Sequence, residues 1–142
     1  RVPESGYFLK PAGSIGQIVP VVCNYNDQAS IAHAIAGSSF VVNCIGILYE
    51  RGKRRTFENA HVKIPQMIAQ ACAAGRVESF VHISALGVDQ GTSRYAISKR
   101  EGEQAVFENF PAASILRPSV IFGEDDNFFN MFAQMSRFLP FL

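Results

Sequence analysis

Tyr95 and Lys99 lie four residues apart in the run Thr92-Ser93-Arg94-Tyr95-Ala96-Ile97-Ser98-Lys99-Arg100-Glu101-Gly102-Glu103. The run reads as a loop entering a helix, with Thr92 or Ser93 placed to cap it. Residues four apart share one helix face, so the phenol and the ammonium would stand side by side. A free phenol titrates near pH ~10, too high for proton exchange in neutral water. A neighbouring ammonium and the positive end of a helix both favour the phenolate and lower that value. A shift of about three units corresponds to about 4 kcal/mol, within reach of two such helpers in a dry cleft. The same spacing also suits a surface tyrosine packed along a lysine stem, so the flanking elements must decide.

Those elements alternate. Residues 18–23 (Ile-Val-Pro-Val-Val-Cys) read as a strand, with Pro20 suggesting an edge position. Asn24 to Asp27 form a turn, and Asp27 caps a helix from Gln28 to Ala36 that Gly37 ends. Residues 40–45 form a second strand, too uniformly apolar to face water on either side. A loop carrying Arg51, Lys53, Arg54 and Arg55 leads to a long helix, 57–74, closed by Gly75. A third strand at Phe80, the Tyr95 helix and a fourth strand at Ser114 follow. Strands and helices in turn predict a parallel α/β sheet.

Composition narrows the classes. The chain has 142 residues, 48% hydrophobic and 18% charged, which suits one domain with a buried core. A formal net charge of +1 gives no case for nucleic acid. Cys23, Cys44 and Cys72 lack metal-ligand spacing and read as buried thiols in a reducing compartment. No metal site is expected, and His33 and His82 read as structural. No apolar run approaches the ~18 residues needed to cross a bilayer, and no signal-peptide pattern is visible.

Strand, Ser84, Tyr95-x-x-x-Lys99, strand, Arg117-Pro118 and Phe122-Gly123 together resemble the extended or atypical branch of the short-chain dehydrogenase/reductase superfamily. The similarity narrows at Leu9-Lys10-Pro11-Ala12-Gly13-Ser14-Ile15-Gly16-Gln17, Val42-Asn43-Cys44-Ile45-Gly46-Ile47, Val62-Lys63-Ile64-Pro65-Gln66 and Ile121-Phe122-Gly123-Glu124-Asp125-Asp126. These resemble the Rossmann-type accessory (α-subcomplex, NAD-dependent epimerase/dehydratase-like) subunit of respiratory complex I and its bacterial homologues. The resemblance implies a doubly wound parallel sheet, here partial, because the first two strands and the Gly-rich turn have no counterpart. Gly13 and Gly16 precede a strand instead of following one, so they do not supply that turn. In the strand order 3-2-1-4-5-6 a gap should then separate the strand at Ile18 from the other three. Residues 1–126 would be the NAD(P)-binding part, and 127–142 the start of a substrate-side region.

The resemblance also assigns a site. Tyr95 would exchange a proton at a substrate C–O, and Lys99 would contact the nicotinamide ribose. Ser84 stands at the strand end as the third catalytic member, although extended enzymes often carry that hydroxyl where this chain has Ala85. Cys44, Ile45 and Gly46 would pass along the cofactor, with Pro118, Ser119 and Val120 beside the nicotinamide. Asn24 would face the adenine or simply form its turn, and Arg1 would meet the 2′-phosphate of NADP. His61 falls near an asparagine position that supports the proton relay in relatives; a packing histidine is the plainer reading.

Two functions follow from the resemblance. One is an accessory subunit of complex I that holds NADP(H), or alternatively NAD(H), structurally. The other is a stand-alone NAD(P)-dependent reductase, epimerase or dehydratase acting on a small or quinone-like substrate. The first implies complex I partners and a place peripheral to the inner membrane, on its cytoplasmic or mitochondrial matrix side. Phe128, Met131, Phe132, Met135 and Phe138 recur at helical spacing, as a core-facing helix or a docking surface. The basic loop at Arg51 reads as a solvated turn or as a contact for anionic headgroups or an acidic partner.

Overall fold

The computed structural model describes residues 3–121 and 123. Three parallel strands form its sheet, β1 (Phe40–Asn43), β2 (Ser79–Ile83) and β3 (Ser114–Leu116), in that spatial order. Helices α1 (Gln28–Ile35), α2 (Ile64–Ala74) and α3 (Arg94–Asn109) alternate with them. Parallel strands need such crossovers, because a tight turn returns the chain antiparallel.

The helix ends follow their local chemistry. Asp27 Oδ2 accepts from Ser30 N at 3.1 Å to start α1, and Ser93 Oγ accepts from Ala96 N at 3.1 Å to start α3. Ser93, not Thr92, is therefore the cap. Gly37, at φ +77°, turns the chain into β1 through a conformation that a side chain disfavours. The predicted 57–74 helix forms in two parts. Residues Glu58–Lys63 make a π-helical segment that runs directly into α2. A π turn is wider than an α turn and re-aims the carbonyls and side chains it carries.

Phe40 pairs with Ser79 through to Asn43 with His82, and Val81 with Ser114 through to Ile83 with Leu116. Side chains alternate along each strand, so Phe80 and His82 fall on one face, where both are fully buried. Phe80 packs there with Ile31, Ile64, Ile68, Cys72, Val77 and Val106 in a core built from all three helices. On the other face Phe40, Val42 and Leu116 are exposed.

Several expectations need correction. Residues 18–23 run without strand pairing, and Val19, Val21 and Val22 are exposed. β-branched residues favour a strand, but backbone groups require a ladder partner, and no described residue supplies one. The expected fourth strand is thus absent among the described residues, and no pairing of 18–23 with β1 occurs. Pro3–Ala12 forms a 3-10 helix. Cys72 is buried and Cys23 half-buried, whereas Cys44 is exposed. Arg1, the boundary at 126 and the Phe-rich stretch 127–142 lie outside the described residues.

Candidate functional site

Past the last residues of β2 and β3 the ladder continues. Ser84 N donates to Leu116 O at 2.7 Å and Leu86 N to Pro118 O at 2.9 Å. These bonds hold two chain segments side by side as walls of a cleft of about 790 Å³. Five predicted site residues line it: Ser84, Tyr95, Pro118, Ser119 and Val120. Ala85 lies between them, and Leu48, Leu86 and Ile121 make the remaining surface apolar.

The Ser93 cap fixes the turn that carries Tyr95. The Tyr95 ring sits edge-on to His61 at 5.2 Å and to Phe57 at 5.9 Å. Lys99 is only 4% exposed and donates from Nζ to the Ile83 carbonyl at 2.9 Å. Burial lowers the Lys99 pKa, and the nearby Glu103 charge partly offsets it. The expected lowering of the Tyr95 pKa does not occur: burial pushes the phenol up. The ammonium is directed at a backbone carbonyl, and desolvation of the phenolate wins. A phenol held neutral suits proton donation and makes a poor base.

Behind this pair a polar cluster surrounds the buried Glu103. Arg117 grips Glu103 with two bonds, Nε to Oε1 at 2.9 Å and Nη2 to Oε2 at 2.6 Å, and reaches Asp89 Oδ2 at 2.7 Å. Burial is the largest single influence on Glu103 and opposes its charge. Hydrogen bonding from Arg117 and Ser84, with the Arg117 charge, overcomes it and holds the carboxyl below its ordinary range. The buried Ser84 hydroxyl influences Glu103 without closing a hydrogen bond of standard geometry. It borders the cleft.

His82 belongs to the same cluster. Asn43 Oδ1 accepts from Ile45 N at 3.0 Å, which turns the amide Nδ2 toward His82 Nδ1 at 2.9 Å. An amide nitrogen only donates, so Nδ1 accepts and the His82 proton sits on Nε2. Burial first, then the Lys99 charge, lowers His82 to about 4. His82 is fully buried, and its Nε2 makes no hydrogen bond among the described residues.

His61 is fully buried, stacks on Phe57 at 5.2 Å and makes hydrogen-bond contacts through both ring nitrogens. Ile47 N donates to its Nε2 at 3.1 Å, and its Nδ1 lies 2.9 Å from Ser98 Oγ, which donates to Tyr95 O at 2.8 Å. Burial and then Lys99 lower it to about 4, so it is neutral at physiological pH. A Cβ on Gly102 would overlap the His61 carbonyl oxygen, so only glycine lets α3 cross the π segment this closely. A glycine in mid-helix was the one sequence signal of that crossing.

The remaining candidates are scattered around the cleft. A Cβ on Gly46 would lie 3.6 Å from Lys99 Nζ and 3.9 Å from His61 Nε2, ordinary contact distances, so the fold itself tolerates a methyl there. Cys44 is exposed and Ile45 half-buried on the same turn after β1. Asn24 acts in its own turn, its Oδ1 accepting from Asn26 N at 3.2 Å and its N donating to Ser30 Oγ at 2.9 Å. The basic loop closes by Arg51 N to Arg55 O at 2.9 Å, with its four cations exposed and Arg55 over the Tyr49 ring. Among the described residues no group of His, Cys, Asp or Glu is arranged to hold a metal.

No family model matches the chain. It is 39% identical over 132 residues to NADH dehydrogenase (ubiquinone) 1 alpha subcomplex subunit 9, mitochondrial, of Mus musculus, covering 92% of this chain and 35% of that protein. The Dictyostelium discoideum protein of the same name is 34% identical over 144 residues, covering 100% of this chain and 40% of its own length. The chain thus spans well under half of these relatives. Among solved structures, dTDP-4-dehydrorhamnose reductase from Bacillus anthracis in complex with NADP superposes with a TM-score of 0.70 at 16% identity, covering 94% of this chain and 56% of that one. UDP-glucuronic acid 4-epimerase from Bacillus cereus in complex with NAD gives 0.66 at 18% identity, over 94% of this chain and 50% of that one. These likenesses establish a partial Rossmann-like α/β fold. The chain is a homologue, over this segment, of the NADH dehydrogenase (ubiquinone) 1 alpha subcomplex subunit 9 proteins.

Proposed function

We propose that the full-length polypeptide is an accessory subunit of respiratory complex I that binds NADP(H) as a structural ligand. The observation that carries this reading is the similarity to subunit 9 proteins across a segment that includes the whole Tyr95 cleft. What supports a nicotinamide nucleotide here is that Tyr95, Pro118, Ser119 and Val120 line one cleft, with Lys99 Nζ 3.6 Å from where a Gly46 Cβ would lie. Lys99 and Tyr95 would hold the nicotinamide ribose, Gly46 with Cys44 and Ile45 would pass along the cofactor, and Pro118, Ser119 and Val120 would flank the ring. Asn24 would stand toward the adenine and Arg1 toward the 2′-phosphate, the feature that would select NADP over NAD. A ligand bound only by the native state stabilises it by about 2.7 kcal/mol at 100-fold excess over its dissociation constant. That is reason enough to keep such a pocket without turnover.

The relatives are named as mitochondrial, and no described helix is long and apolar enough to cross a membrane. Both support peripheral association, which we place on the matrix side of the inner membrane, with the exposed Arg51 to Arg55 loop as a docking contact. One observation favours a reductase instead: a neutral phenol on the wall of an apolar cleft suits donation to a substrate oxygen while a bound nicotinamide supplies hydride. Ala85, where extended enzymes often carry a hydroxyl, argues against it.

The test is isolation of the full-length protein from native membranes in mild detergent. It should migrate with a complex I-sized assembly and release NADP(H) on denaturation. A free monomer releasing no nucleotide would overturn the assignment.

A further inference from the structure

We propose that His61 is a positioning residue for the nucleotide, its imidazole tying the turn at Gly46–Ile47 to the first turn of α3. This rests on the nucleotide-binding reading above. The connection is a directed chain of three hydrogen bonds. Ile47 N–H can only donate, so His61 Nε2 accepts at 3.1 Å and the ring proton must sit on Nδ1. Nδ1–H then donates to Ser98 Oγ at 2.9 Å, and the Ser98 hydroxyl donates to the Tyr95 carbonyl at 2.8 Å. No other tautomer satisfies both ends, and the protonated ring would lose the Ile47 bond.

The chain joins the two sides that would grip a nicotinamide ribose. On one side the Ile47 N–H is fixed toward His61, and a trans peptide sets the Gly46 carbonyl in the opposite direction, away from the imidazole. Gly46 is exposed, its Cβ direction passes 3.6 Å from Lys99 Nζ, and Leu48, two residues on, lines the cleft. On the other side the same ring lies 5.2 Å from the Tyr95 ring. The π turn makes this reach available, because it brings the His61 backbone against Gly102 and buries the imidazole between the two elements. An aliphatic side chain could fill that space but could not fix the Ile47 peptide.

The two halves of the imidazole can be tested separately in the full-length protein. Glutamine reaches about as far as Nε2 and keeps an acceptor for Ile47; asparagine reaches about as far as Nδ1 and keeps only the Ser98 contact. NADPH and NADH titrations should show His61→Asn weakened by about tenfold or more and His61→Gln within about threefold of wild type, the gap expected from losing preorganisation alone. Both should show similar losses of thermal stability. Equal affinity of the two variants would reduce His61 to packing and overturn the inference. Should either variant fail to fold, amide exchange in the wild-type protein decides: Ile47, outside the sheet, should be protected, and rapid exchange there would also overturn it. Absence of nucleotide binding by wild type would instead refute the function reading, leaving the Ile47 exchange to judge the His61 bond.

Discussion

Residues 18–23 and strand β2 are built from similar apolar, β-branched material and meet opposite fates. The first segment runs unpaired with Val19, Val21 and Val22 exposed; the second sits at the centre of the sheet, paired on both edges and covered by helices. Polarity is inverted between them as well. The β2–α3 region buries His82, Lys99 and Glu103, while the 18–23 segment leaves valines in water. Strand propensity and hydropathy describe a preference for surroundings, and the surroundings come from partners elsewhere in the chain. A buried charge is held only because each group there has a partner: Lys99 the Ile83 carbonyl, Glu103 the Arg117 guanidinium.

This contrast can be sharpened with acid, which should produce the largest effect. His61 and His82 are each held at about 4 when folded, against 6.5 unfolded. Above pH 6.5 neither state binds the proton, so these groups do not alter stability. As pH falls from 6.5 toward 4 the unfolded chain takes up protons that the folded one resists. Stability should then drop by about 1.4 kcal/mol per pH unit for each imidazole. Denaturant titrations of the full-length protein across that window measure it, and hydrogen exchange should show α2 and α3 opening; a flat profile would contradict the buried neutral tautomers.

Next in size is Gly102→Ala. The new methyl meets the His61 carbonyl, which belongs to backbone and cannot rotate away, so α3 and the π segment must separate. A loss of about 3 kcal/mol is expected, the upper range for overpacking a close contact. An unchanged denaturation midpoint would mean that the crossing is looser than described. The smallest effect belongs to the other region: Val21→Thr, on an exposed unpaired segment, should stay within about 0.5 kcal/mol of wild type. A larger loss would show that the full-length protein pairs or covers this segment.

Much of the frame was legible. Strands near 40, 79 and 114, the Asp27 and Ser93 caps and the Gly75 stop follow from local rules, and the four-residue spacing put Tyr95 and Lys99 on one helix. What stayed hidden depends on contacts between distant residues. Glu103 meets Arg117 across the gap from α3 to the end of β3, and His61 meets Ser98 and Ile47 from three separate elements. The direction of the Tyr95 shift failed for the same reason. Spacing shows that an ammonium is near, but only tertiary packing shows that it is directed elsewhere and that the phenol is buried. Gly102 was visible as a mid-helix glycine, and its reason was not.

The central claim is that the Tyr95 cleft holds a nicotinamide nucleotide with Lys99 beside its ribose, and Lys99→Met tests it most directly. Methionine keeps the length of the buried stem and removes the ammonium, so the fold should survive without a buried charge to satisfy. In equilibrium titrations of the full-length protein with NADPH, wild type should bind saturably and Lys99→Met at least about tenfold more weakly, the scale of one lost charge-assisted contact. Equal affinity of the two proteins, or no binding of NADPH or NADH by wild type, would contradict the account.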